Sequence, residues 1–95
     1  MSTIDIHAFH ELGTERAQEA AEALSSDLAE KFQIDYGWDG DCIVFERPGV
    51  HGEISVTDSE IHFQARLGMM LALLRGPIEQ EIYRYLSEHF GCTFG

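Results

Sequence analysis

The stretch Ile34–Leu67, IDYGWDGDCIVFERPGVHGEISVTDSEIHFQARL, alternates apolar and polar residues and is interrupted only by turn signals. Ile34, Tyr36 and Trp38 alternate before Asp39-Gly40, a hairpin-type dipeptide. Cys42 to Glu46 read as the next strand, which Pro48-Gly49 ends. Ile54 and Val56 then face one way, while Glu53, Ser55 and Thr57 face the other. After Asp58-Ser59, the apolar positions Ile61, Phe63, Ala65 and Leu67 alternate with His62, Gln64 and Arg66. A period of two sends successive side chains to opposite faces of a sheet, and connections this short join antiparallel neighbours. The stretch therefore predicts an antiparallel meander with one apolar face, which needs cover on one side only. Gly52, inside a strand, marks a bulge or a close approach of backbones.

Two helices are available to cover it. Gly13-Thr14 opens the first, with Thr14 as the expected N-cap. Ala17, Ala20, Ala21, Leu24, Leu28 and Phe32 fall within an arc of about 120°, and Gln18, Glu22, Ser25, Ser26 and Glu30 point elsewhere. Gly76-Pro77 opens the second, whose stripe is Ile78, Ile82, Tyr85 and Leu86 and whose C-cap is Gly91. Ile4, Ile6 and Ala8 alternate in a first short strand, and Cys92 to Gly95 remain as a short tail. The expected fold is a single α+β domain over residues 1–95, a two-layer antiparallel β-meander sheet covered on one face by two helices, in the order β-α-β-β-β-β-α.

Charge narrows the partners. Seventeen acids against six bases leave a formal charge of -11. Nucleic acid is then a poor partner, because phosphate affinity depends on Lys and Arg displacing condensed counterions, and anionic membrane surfaces are disfavoured likewise. No basic segment followed by an apolar core begins the chain, and no apolar run approaches the roughly 20 residues of a membrane-spanning helix. Cys42 and Cys92 stand apart and form no CxxC pair, which suits free thiols in a reducing cytosol. The expected location is cytoplasmic.

Chemistry-bearing patterns are sparse. His7 and His10, three apart on an extended strand, point to opposite faces. His51 and His62 could approach on adjacent strands with Cys42 nearby, but this would be an improvised cluster, and neither a metal nor another cofactor is expected. His10, at the entry to the first helix, is expected to hold that corner by a hydrogen bond. Asp39 and Asp41 flank a turn glycine, where acids are ordinary. No GxSxG elbow, catalytic cysteine frame or phosphate-binding glycine loop occurs, so no enzymatic activity is expected. The acidic face of the first helix (Glu15, Glu19, Glu22, Glu30) reads as solvated.

The uncharged run Met69-Met70-Leu71-Ala72-Leu73-Leu74 has the strongest claim to function. A helix apolar on every side cannot bury all of them in a two-layer domain. Met69, Met70, Leu71, Leu73 and Leu74 are thus expected to form an interaction patch, and methionine adapts well to such a contact. Burying four such side chains against a partner contributes on the order of 6–12 kcal/mol before association costs.

His10-Glu11-Leu12-Gly13, the Ala-rich helix after it, Trp38-Asp39-Gly40-Asp41, Gly49-Val50-His51-Gly52 and Leu67-Gly68 together resemble the polyhydroxyalkanoic acid system proteins, small bacterial domains encoded near genes for storage-polyester granules. The resemblance runs from about Ile4 to Phe90. It implies a role at the granule or in its regulation, and carries no catalytic residues. In that family the meander strands often bear basic residues; here Glu46, Glu53 and Glu60 outnumber Arg47 and Arg66.

Together these readings give a non-enzymatic interaction module of the polyhydroxyalkanoate storage system, with the run first of all as a homodimer seam and otherwise as a contact to the polyester granule or a granule-associated protein. The alternative is a small acyl- or hydroxyacyl-binding protein with a cavity between sheet and helices, lined by Trp38, Phe45, Phe63 and Ile82. Such a carrier needs a pocket of roughly 300 Å³ or more.

Overall fold

The computed structural model describes residues 2–94, in a body of 36 × 24 × 20 Å. The elements are β1 (Ser2–Phe9), α1 (Gly13–Phe32), β2 (Asp35–Asp39), β3 (Cys42–Arg47), β4 (Val50–Val56), β5 (Glu60–Leu67), a 3-10 helix (Met69–Leu74), α2 (Arg75–Phe90) and β6 (Thr93–Phe94). The strands form one six-stranded antiparallel sheet in the order β2-β3-β4-β5-β1-β6. This is the α+β architecture expected, with two differences.

The first is the C-terminal segment. Gly91 caps α2 as expected, its N–H donating to the Ser87 carbonyl (3.2 Å) while that of Cys92 donates to Leu86 (3.1 Å). The chain reverses there, buries Cys92 and lays Thr93–Phe94 against Ala8 and Phe9 as a sixth strand rather than a free tail. Burial pushes the Cys92 thiol pKa up, which keeps it protonated and inert. The second is the start of α1. The helix begins at Gly13, and Thr14 does not cap it; the residue at the cap position, Leu12, makes no side-chain capping bond. His10 holds the corner before the helix instead. Its Nδ1 accepts the Leu12 N–H (3.1 Å) and its Nε2 donates to the Thr57 carbonyl (3.2 Å), which joins the β1–α1 corner to the β4–β5 turn.

The four inner strands β1, β3, β4 and β5 each send one set of side chains into the helix layer. Ile4, Ile6, Ala8, Ile43, Phe45, Ile54, Val56, Ile61, Phe63, Ala65 and Leu67 are all buried on that face. Ala17, Ala20, Ala21, Leu24 and Leu28 from α1 and Ile78, Ile82 and Leu86 from α2 complete the core. Ser25, expected on the outer face of α1, is fully buried; its hydroxyl donates to the Ala21 carbonyl at 2.7 Å. That internal bond lets a serine share the buried stripe. Gly52 sits opposite Ala65 with no bulge in the ladder, so close approach is the correct reading.

The helices are also tied by charge. Lys31 on α1 donates to Glu81 on α2 at 2.6 Å, and Arg84 grips the same carboxylate through Nη2 at 2.7 and 2.9 Å. Hydrogen bonding from Asp27, then from Lys31 and Arg84, holds Glu81 at about 2. Burial, followed by Glu81 itself, pushes Asp27 upward. The two shifts act on stability with opposite sign. The Glu81 contribution is present above its unfolded value near 4.5 and is lost as the pH falls toward 2. The Asp27 contribution is complete below its unfolded value of 3.8 and is lost as the pH rises through its higher folded value. Glu81→Gln is therefore expected to lower stability at pH 7 by about 1 kcal/mol, allowing for solvent screening, with the difference from the parent vanishing between pH 4.5 and 2. Asp27→Asn is expected to raise stability at pH 7. Urea denaturation at pH 3 and pH 7 checks both signs.

Candidate interaction surface

The apolar run is sided, and its geometry explains how. Met69–Leu74 form a 3-10 helix that passes directly into α2 at Arg75. Pro77 lies inside the first turn of α2, where its missing N–H costs no bond, so it neither kinks nor starts that helix. A 3-10 helix repeats every three residues, which stacks i over i+3. Leu71 and Leu74 form the inward stripe, half-buried against the core. Met70 and Leu73 form the outward stripe, 93% and 89% exposed, and Met69 beside them is 84% exposed. The expected patch of Met69, Met70, Leu71, Leu73 and Leu74 thus divides into two anchors and three protruding side chains.

Leu71 rests on the β3–β4 turn. The Gly68 N–H donates to the Gly49 carbonyl (2.8 Å), and the Leu71 N–H to that of Gly68 (3.0 Å). Gly49 holds φ at +87°, and a Cβ there would lie 3.0 Å from Leu71 Cδ1. Pro48-Gly49 therefore shapes the turn and also provides the seat for Leu71.

Among the described residues, the space at Phe45 and Phe63 between sheet and helices is far smaller than the roughly 300 Å³ a carrier needs. Phe45 and Phe63 border an apolar void of about 10 Å³ with Ile4, Leu28 and Ile78, room for one water molecule at most. Ile82 is buried but does not line it. Trp38, expected to line such a cavity, is 41% exposed at the edge strand β2, where its indole N–H donates to Glu22 Oε1 at 2.9 Å. An edge strand has a helix over only part of its width, so the ring lies on the rim of the layer.

The expected histidine grouping also differs. His51 lies opposite Arg66 and His62 opposite Ser55, so the two are separated along the strands. Cys42 Sγ lies 3.7 Å from Ser55 Oγ, one strand short of His62. His62 meets His7 instead, because β1 inserts beside β5. Sequence reasoning missed this pair; alternation puts both on the polar face, but only strand order makes them neighbours.

Residues 4–90 match the family described as "Putative polyhydroxyalkanoic acid system protein". The chain belongs to that family. The match spans β1 to the end of α2 and so includes the exposed run. No curated protein and no solved structure matches the chain. Membership ties the protein to the polyhydroxyalkanoate system. Among the described residues no helix is long and apolar enough to cross a membrane.

Proposed function

We propose that this protein is a non-enzymatic module that adsorbs to the polyester surface of the storage granule through Met69, Met70 and Leu73. The observation that carries this reading is their protrusion: three large apolar side chains stand almost wholly in solvent on a small acidic domain. Their transfer out of water contributes about 4–9 kcal/mol before association costs.

Two arguments favour the polymer over a second copy of the chain. A stable protein interface typically engages roughly 20–30 residues a side, and this knob offers three. Knobs that touch little of their own protein suit a soft apolar phase that closes around them, and methionine adapts its shape to such a phase. Charge points the same way. A polyester is neutral, so a protein of charge -11 meets no repulsion there, whereas a second copy brings -11 of its own.

The test is co-sedimentation with protein-free polyhydroxyalkanoate particles. Met70→Asp with Leu73→Asp is expected to reduce bound protein at least tenfold while melting temperature and monomeric mass stay unchanged. Equal sedimentation of variant and parent overturns the proposal. A parent dimer that the double variant splits would assign the run to self-association instead.

A further inference from the structure

The polar face of the sheet holds a constellation independent of the apolar knob. Asp5 and His7 lie two apart on β1, hence on one face, and His62 of β5 stands directly opposite His7. The imidazoles of His7 and His62 stack with centroids 4.0 Å apart and planes 14° from parallel. Both Nε2 atoms converge on one oxygen. Asp5 Oδ1 is 2.6 Å from His62 Nε2 and 3.5 Å from His7 Nε2. On the far side of its ring, His7 Nδ1 meets Glu60 Oε1 at 2.5 Å.

If Nδ1–H of a neutral His7 is donated to Glu60, the Nε2 lone pair is directed at the Asp5 carboxylate. That lone pair and the carboxylate oxygen are 3.5 Å apart, a spacing that a proton or a metal ion can bridge. A carboxylate that fixes the tautomer of a ligating histidine from behind is the usual outer partner of a histidine–metal bond. Among the described residues, Asp5, His7 and His62 each offer one ligand atom, and these atoms all lie within 4.8 Å of one another.

We propose that Asp5 Oδ1, His7 Nε2 and His62 Nε2 form a surface zinc site, with Glu60 as the partner that orients His7. Two imidazoles and one carboxylate suit a borderline divalent ion such as Zn²⁺ better than Mg²⁺ or Ca²⁺, which prefer oxygen ligands. Zinc–nitrogen bonds of 2.0–2.1 Å in a tetrahedron place ligands about 3.3 Å apart. The His7–Asp5 spacing already matches this, and His62 must withdraw from Asp5 by about 0.7 Å. The rings must also tilt out of their stack, which needs only the soft χ2 torsion. His62 gives up the Nε2–H···Asp5 bond, and its proton is carried at Nδ1 instead. Three protein ligands leave the fourth position to water. The bound ion staples β1 to β5, the pairing on which the β1 end of the sheet depends.

Titration of the metal-free protein with ZnCl₂ tests the site by calorimetry and by the imidazole ¹⁵N signals. One equivalent of zinc is expected to shift the Nε2 signals of His7 and His62 and to raise the melting temperature. His62→Gln is expected to weaken binding at least tenfold and Glu60→Gln about tenfold, while His51→Gln leaves it unchanged. Zinc bound equally well by parent and His62→Gln would locate it on the general acidic surface and overturn the proposal. No heat and no ¹⁵N shift at millimolar zinc would do the same.

Discussion

Gly52→Val is expected to lower the stability of this domain by about 2–4 kcal/mol, one of the two largest effects anticipated for a single substitution. A Cβ at residue 52 would lie 2.9 Å from the Gln64 carbonyl oxygen and 3.0 Å from Ala65 Cβ. The first of these is backbone, which no side-chain rotation relieves. To admit a side chain, β4 and β5 must separate at a pair in the middle of their ladder, near the centre of the core. A domain of this length is held by roughly 5–14 kcal/mol, so the loss consumes a large share of the total. Gly52→Ala makes the same backbone contact without the branch and is expected to cost about 1–2 kcal/mol. Urea denaturation measures both, and an alanine variant as stable as the parent would show that the two strands yield more easily than their spacing implies.

Leu71→Asp is expected to destabilise by a comparable amount, about 2–4 kcal/mol, while Leu73→Asp two residues away changes stability by less than about 0.5 kcal/mol. Leu71 packs against the core and sits on Gly49, so a carboxylate there loses its water without finding a partner. Leu73 is 89% exposed and gives up almost no contact within the domain. The contrast tests the sidedness of the 3-10 helix separately from any binding partner. Near-equal effects of the two substitutions would mean that the run is not seated as described. It also decides how the granule experiment is read: Leu71 and Leu74 variants confound folding with adsorption, whereas Met70 and Leu73 variants do not.

Much of this arrangement was legible from residue order. The alternation from Tyr36 to Leu67 located the strands, because a sheet with one buried face imposes a two-residue period on the chain that forms it. The stripe Ala17, Ala20, Ala21, Leu24, Leu28 located α1 for the corresponding helical reason, and all five are buried. The role of His10 at the corner also followed from its position between strand and helix. Other features were not legible. Thr93–Phe94 is too short to carry a period, and pairs because Gly91 returns it to the free edge beside Ala8 and Phe9. Trp38 alternates correctly with Tyr36, but edge position rather than pattern governs its exposure.

Local periodicity, turn residues and charge by themselves determined the α+β class, the two covering helices and an apolar run too large for the layer to absorb without remainder. Each of these depends on residues close together in the chain, where backbone geometry sets the rule. Tertiary structure alone decided that β1 lies between β5 and β6, that Leu71 and Leu74 turn inward while Met69, Met70 and Leu73 stand in solvent, and that His7 stacks on His62. The physical reason is common to all three. Which strand edge is filled, and which side of a three-residue helical repeat meets the core, depend on contacts between segments far apart in sequence, and no local pattern encodes those neighbours.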